Sequence, residues 1–298
     1  MWFQSNFGEI AALCTAVFWT ITALTFETAS LKIGSLHVNI IRLFLGFIFL
    51  SIFTYVYRGI AFPVDATADQ WFWLSLSGIV GFLFGDLFLF KSYTLIGSRF
   101  AMLIMTLVPP ITALLGWLFL NEILSLLAFG GMSLTVLGIG LAIFKRNEKK
   151  ITFKLSGKGL LFALAGAIGQ AGGLILSKLG MSDNYSPFAA TQIRILTGIV
   201  GFTILFTVLK RWKQLFASLS NVQAMKNVGI GSIFGPFLGV SFSLLAIQYT
   251  ETGIASTIMA MVPIFIILPS VFIYKQKVTP MEILGAIISV FGVSIFFI

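Results

Sequence analysis

The chain has almost nothing with which to hold a metal: one cysteine, Cys14, and one histidine, His37. A lone cysteine excludes an internal disulfide and a multi-cysteine centre, and a lone histidine excludes most histidine-based sites. Charge is scarce too, at 10% of residues. A water-soluble protein of 298 residues could not cover its surface with so few polar groups. Catalytic signatures are missing: no HExxH, no G-x-S-x-G and no G-x4-G-K-[ST]. The chain is therefore read as a non-enzyme with no cofactor and no metal, and without an ATP motor of its own. Met1 to Phe7 holds no Lys or Arg, so the charged start of a cleavable signal peptide is absent and the first apolar run is expected to be retained.

What is present is apolar. Hydrophobic residues make up 58% of the chain, with 32 Phe, so lipid must be the solvent for most of the surface. The net charge of +9 does not imply nucleic acid, because no soluble segment exists to carry such a site. The basic residues fall in short loops, where they meet anionic lipid headgroups.

A bilayer core of about 30 Å takes roughly 20 helical residues. Apolar runs of that length occur over 8–27, 37–57, 71–91, 97–119, 124–144, 157–178, 187–209, 227–248, 252–273 and 279–298. They are continuously apolar rather than alternating, which predicts helices and not barrel strands. Of the 19 basic residues, Arg42 and Arg194 lie inside spans. Fifteen of the others fall on loops of one side, and only Arg58 and Lys178 on the other. The positive-inside rule then puts both termini outside.

The second half repeats the first. At an offset of 154 residues, Gly81 and Gly85 fall on Gly235 and Gly239. Ala101, Ile104, Met105, Val108 and Pro109 fall on Ala255, Ile258, Met259, Val262 and Pro263, and Gly131 and Gly138 on Gly285 and Gly292. At an offset of 152, Ile41-Arg42 falls on Ile193-Arg194 and Gly46 on Gly198. The predicted units are 1–148 and 149–298, joined through Lys145–Lys158. Each holds five spans, and five is odd, so the second copy enters from the opposite side. The expected fold is an all-α polytopic membrane protein with ten transmembrane helices in two inverted five-helix repeats.

Four features together resemble the EamA family of the drug/metabolite transporter superfamily. They are Phe18-Trp19 in the first span, Ile-Arg in the second span of each copy, the small-residue-to-proline segments Ala101–Pro109 and Ala255–Pro263 with Asn121-Glu122 after the first, and glycine-spaced fifth spans. The resemblance covers nearly the whole chain. It implies a central cavity and transport of small metabolites by alternating access, with amino acids or related compounds exported by many members. The chain departs from the pattern at Thr20, where a glycine usually follows the tryptophan. It departs again at Tyr274-Lys275-Gln276, which stands where the first copy has Leu120-Asn121-Glu122. The resemblance also implies termini inside, against the loop charges.

Ionisable groups inside spans cost at least ~2.5 kcal/mol at the bilayer centre, so each should face a partner or a wet cavity. Arg42 and Asp86 lie near one membrane face and can pair. The pair serves either as a substrate-carboxylate site with Asp86 as a proton-linked switch, or as a structural lock between helices. Val240 stands in place of Asp86 in the second copy. Arg194, the inverted counterpart of Arg42, is expected near the opposite face with Gln248 and Glu251, closing a second gate with Glu251. Trp19 and Gln170 hold matching places and are expected to line the midplane cavity, although packing or lipid contact also explains a span tryptophan. Pro109 and Pro263 are expected to kink cavity-lining helices, with Thr106, Ser256 and Thr257 supplying hydroxyls. Gly81-x3-Gly85, Gly235-x3-Gly239 and Gly169-x3-Gly173 mark close helix approach. Glu27 and Lys91 are expected at the interface, and Glu122 at the cap of the fifth helix.

The expectation is a secondary transporter of small organic metabolites in the cell inner (plasma) membrane. Its partners are a small-molecule substrate and membrane lipids. Its energy comes from a proton or solute gradient or from exchange. The fifth and tenth spans are left to pack at the periphery or in a homodimer. The rival is a membrane binding or assembly protein without transport, which would have no hydrated cavity around Arg42, Asp86, Trp19 and Gln170.

Overall fold

The computed structural model describes residues 7–120, 126–147, 150–153, 155–181, 185–250, 252–273, 275 and 277–296. Asn121, Glu122, Glu251, Tyr274 and Gln276 lie outside the described residues.

The first copy begins with α1 (Phe7–Ile33) and α2 (Ser35–Arg58). A loop follows, then α3 (Ala68–Gly78), a π-helical turn over Ile79–Gly85, and α4 (Asp86–Ile104). A 3₁₀ turn over Met105–Leu107 leads into α5 (Val108–Leu120), and α6 (Leu126–Ile143) completes the copy. The second copy holds α7 (Gly157–Gly180), α8 (Pro187–Val208), the short α9 (Trp212–Ser218), α10 (Val222–Ser232), a second π-helical turn over Ile233–Gly239 and α11 (Val240–Tyr249). It ends in α12 (Thr252–Met259), α13 (Val262–Phe265), α14 (Ile267–Phe272) and α15 (Pro280–Phe296).

Apolar residues with few breakers make these segments helical, and local chemistry ends them. Gly59 takes a left-handed φ of 72° and caps α2. Thr67 and Gln70 form a reciprocal capping box at the start of α3. Span hydroxyls are turned back on their own helix, as where Thr15 donates to Ala11 O and Thr20 to Ala16 O, both at 2.8 Å. Thr20 thereby satisfies its hydroxyl inside the packed interior.

Six helical stretches among the described residues are long and apolar enough to cross a bilayer: Phe7–Ile33, Ser35–Arg58, Ala68–Leu115, Gly157–Gly180, Pro187–Val208 and Val222–Tyr249. Ala68–Leu115 takes in the predicted third and fourth spans. At 1.5 Å per residue its 48 residues would reach roughly 70 Å, twice the bilayer core, if they ran straight. Gly97 prevents that, with φ 79° and ψ 154°, a backbone only glycine adopts without strain. The new helix start at Ser98 is capped by Glu27, whose Oε2 accepts from the Ser98 N–H at 3.0 Å. Glu27 was expected as an interfacial anchor. It caps a broken helix, because four N–H groups of any helix start need an acceptor.

The predicted ninth span is also divided, into α12, α13 and α14. Pro109 and Pro263, expected to kink cavity-lining helices, lie just after interruptions in those helices. They sit at the second residue of α5 and α13, directly after a break in α-helical geometry, which before α5 is the tight 3₁₀ turn. A proline there forfeits no hydrogen bond, since the first N–H groups of a helix have no internal partner. At the join between copies, Phe144–Asn147 and Lys150–Phe153 form a small antiparallel strand pair that the all-helix expectation did not include.

The packing treats the copies alike. The helix α1 lies against α10, the second π turn and α11, while α7 lies against α3, the first π turn and α4. The helices α2 and α8 pack together, as do α6 and α15. In that last pair Thr135 Oγ1 donates to Ser289 O and Ser289 Oγ donates to Thr135 O, both at 3.3 Å. The glycines expected to permit close approach do so. A Cβ on Gly173 would stand 2.9 Å from Gly81 Cα. The glycine pairs 81/85 and 235/239 both lie inside the π turns, which start at Ile79 and at Ile233, the same place in each copy. Widened turns of this kind recur at functional positions in helices.

Candidate functional site

Where α1, α2, α4, α7, α8 and α11 converge, a cavity of about 130 Å³ opens inside the molecule. Its apolar wall includes Leu89, Met102, Met105, Val108, Met259 and Val262. Its polar groups enter from both copies.

Arg42 is held from α2 and is 3% exposed. One edge of its guanidinium donates to Asn39 Oδ1, from Nε at 3.2 Å and from Nη2 at 3.1 Å. Nη2 also meets Asp86 Oδ2 in an ion pair. Asn39 and Arg42 are three positions apart, so a helix brings them to one face. The Asn39 amide donates in turn to the Asp86 backbone carbonyl at 3.2 Å. Gln170, from α7 of the other copy, donates to Asp86 Oδ1 at 2.6 Å and to Gly81 O at 3.2 Å. Both carboxylate oxygens of Asp86 are thus engaged. Aromatic rings close the Arg42 side, with Phe90 at 4.6 Å and Phe82 at 5.5 Å from the guanidinium carbon.

Arg194 was expected near the opposite face, gating with Glu251. It lies instead in the same cavity, 4% exposed, with its guanidinium carbon 5.0 Å from the centre of the Phe82 ring. The glycine-lined π turn explains the position: Arg194 Nη2 comes within 3.1 Å of where a Cβ on Gly81 would stand. Among the described residues Arg194 has no ion-pair partner, and its buried Nε has no acceptor.

Trp19 lies against Gly239, whose absent Cβ would be 2.9 Å from the indole nitrogen. It lines the cavity with Pro109 and Pro263.

The matches to known proteins fit this geometry. The EamA-like transporter family matches residues 6–144 and again 157–298. The chain belongs to that family. It is therefore a multi-pass membrane protein of the drug/metabolite transporter superfamily. No curated protein matches it. A solved structure described only as "Crystal structure of protein" is similar with a TM-score of 0.64, at 16% identity, over 97% of this chain and 96% of the other. That likeness concerns the fold alone.

In this EamA-like chain, seven of the eight candidate residues border one cavity: Trp19, Arg42, Asp86, Pro109, Gln170, Arg194 and Pro263. Gln248 does not. It sits near the end of α11, where its amide donates to Tyr185 O at 3.3 Å, and it braces a loop instead. The loops at that end form a polar cluster. Arg58 pairs with Asp65 and lies 5.9 Å from the Tyr185 ring, and Gln192 donates to Ala61 O at 2.7 Å. Asn39 and Phe82 were missed from the sequence. Asn39 carried a signal, being an amide one helical turn from an in-span arginine. Phe82 carried none, since it is one of 32.

Proposed function

We propose that this chain is a secondary transporter of small organic metabolites, such as amino acids or amphiphilic compounds, acting as an exporter or exchanger. Substrate binds in the cavity between the copies, and the copies rock to open it to either side. The observation that carries the reading is the convergence of Arg42 and Asp86 from the first copy with Gln170 and Arg194 from the second on one internal cavity. Charged groups inside spans pair with one another or line a wet space, and they mark substrate and ion pathways. The chain works as a transporter rather than an enzyme, with ten spans in two inverted repeats of 1–148 and 149–298, in the cell inner membrane. The loop charges favour both termini outside. Asp86 is the proton-linked group. The rival, a binding or assembly protein without transport, would have no such cavity; its presence supports transport.

The test is flux into proteoliposomes under an imposed pH gradient, with wild type beside Asp86→Asn. Wild type should accumulate at least one solute of an amino-acid and amphiphile panel. Asp86→Asn should lose pH-driven accumulation and keep exchange. A folded wild type that moves nothing across the panel would overturn the reading.

A further inference from the structure

We propose that the cavity is built for a small monocarboxylate with an apolar body, its carboxylate held by Arg194. The proposal rests on the reading of this cavity as the transport site and adds the class of solute.

Three charged side chains line the cavity among the described residues: Arg42, Arg194 and Asp86. Asp86 is committed to Arg42 through Oδ2 and to Gln170 through Oδ1. Two guanidiniums share one carboxylate, so one positive charge is left over, and Arg194 is the one without an ion pair among the described residues. The duplication explains why. Arg42 and Arg194 are equivalent, but the two groups that serve Arg42 were not kept for Arg194. Val240 stands in the place of Asp86 and lines the same cavity. Thr191 stands in the place of Asn39, and its hydroxyl donates to Pro187 O at 2.8 Å instead. The second copy therefore holds the cation and lacks its acceptors.

A buried guanidinium that makes no ion-pair contact is costly, and the cost falls when a carboxylate joins it. Phe82 lies 5.0 Å from the Arg194 guanidinium carbon. The planar N–H edge of a guanidinium suits two parallel hydrogen bonds to a carboxylate. A single spare charge matches a monoanion better than a phosphate monoester or a dicarboxylate. The rest of the wall, including Leu89, Met105, Val108 and Met259, accepts an apolar body.

The experiment uses the full chain in detergent and pairs of isosteres: 4-methylpentanoate with 4-methylpentanamide, and 3-phenylpropanoate with 3-phenylpropanamide. Binding is read by thermal shift and by tryptophan fluorescence, to which Trp19 contributes. Each acid should bind at least about tenfold more tightly than its amide, a charge-assisted preference of ~1.4 kcal/mol or more. Arg194→Gln should remove the preference, and Arg194→Lys should keep part of it. Amides that bind as well as the acids, a preference that survives Arg194→Gln, or no binding by any acid would each overturn the proposal. If Arg194→Gln does not fold, the wild-type pairs and Arg194→Lys still decide. Counterflow in proteoliposomes separates the two readings. Movement of neutral solutes without acid binding would leave transport standing and remove the carboxylate site. Acid binding without movement would do the reverse.

Discussion

Arg42 and Arg194, the same residue of the two copies, face one ring: Phe82 lies 5.5 Å from the first guanidinium and 5.0 Å from the second. An aromatic face attracts a desolvated cation by ~2 kcal/mol. Phe82 thus helps two like charges share a low-dielectric space beside the Asp86 carboxylate that pairs with Arg42. Phe82→Leu keeps most of the volume and removes the face. It should lower unfolding stability by about 2–4 kcal/mol, read as a fall in melting temperature in detergent. An unchanged midpoint would mean the ring is filler only.

The Arg42–Asp86 pair is buried, so removing one member strands the other. Asp86→Leu and Arg42→Met should each cost about 3–5 kcal/mol, and the double variant should cost less than either. A double-mutant cycle by thermal or denaturant unfolding measures this. Additive losses would count against the pair as a unit.

Gly97 carries the break inside α4. With φ 79° and ψ 154°, Gly97→Ala should destabilise by about 1–3 kcal/mol. Glu27→Gln should cost less, since the amide still offers an acceptor to Ser98. If Gly97→Ala melted with wild type, the break would be needed less than the geometry implies.

Helix contact predicts opposite outcomes for two glycines. Gly173→Ala puts a methyl 2.9 Å from Gly81 Cα, where backbone must give way. Gly130 has nothing within 4 Å, so Gly130→Ala should be neutral or stabilise by ~1 kcal/mol. Expression and monodispersity of the two variants, measured side by side, check the contrast.

Outside the spans, burial pushes the Tyr185 phenol up to about 12, with the Asp65 carboxylate adding to the rise and Arg58 opposing it. The folded group holds its proton where the unfolded one, near its ordinary 10.0, has lost it. The contribution to stability is complete below pH 10 and disappears as pH rises toward 12. A difference absorbance titration of wild type against Tyr185→Phe should lack a phenol transition at pH 10 and show one near 12. A transition near 10 would mean the ring is open to water.

The sequence by itself determined the class. Continuous apolar runs leave lipid as the only solvent that fits, and internal periodicity fixes the duplication, because both are properties of local composition. It also singled out the in-span charges. Every buried charge or amide needs a reason, so Arg42, Asp86, Arg194 and the neutral Gln170 were visible as candidates before any packing was known. What only the tertiary structure decided is which of them meet. Repeat logic sent Arg194 to the opposite face with Gln248. Packing of α7 and α8 on the glycine-lined π turn brought Arg194 to Phe82 instead and left Gln248 outside the cavity. Gly97 was one glycine among 29, and Glu27 one carboxylate at a span end, until the break inside α4 put a helix start beside that carboxylate. Side chains far apart in sequence interact through distances set by how closely helices approach. Those approaches depend on many small contacts at once, which no single residue type announces.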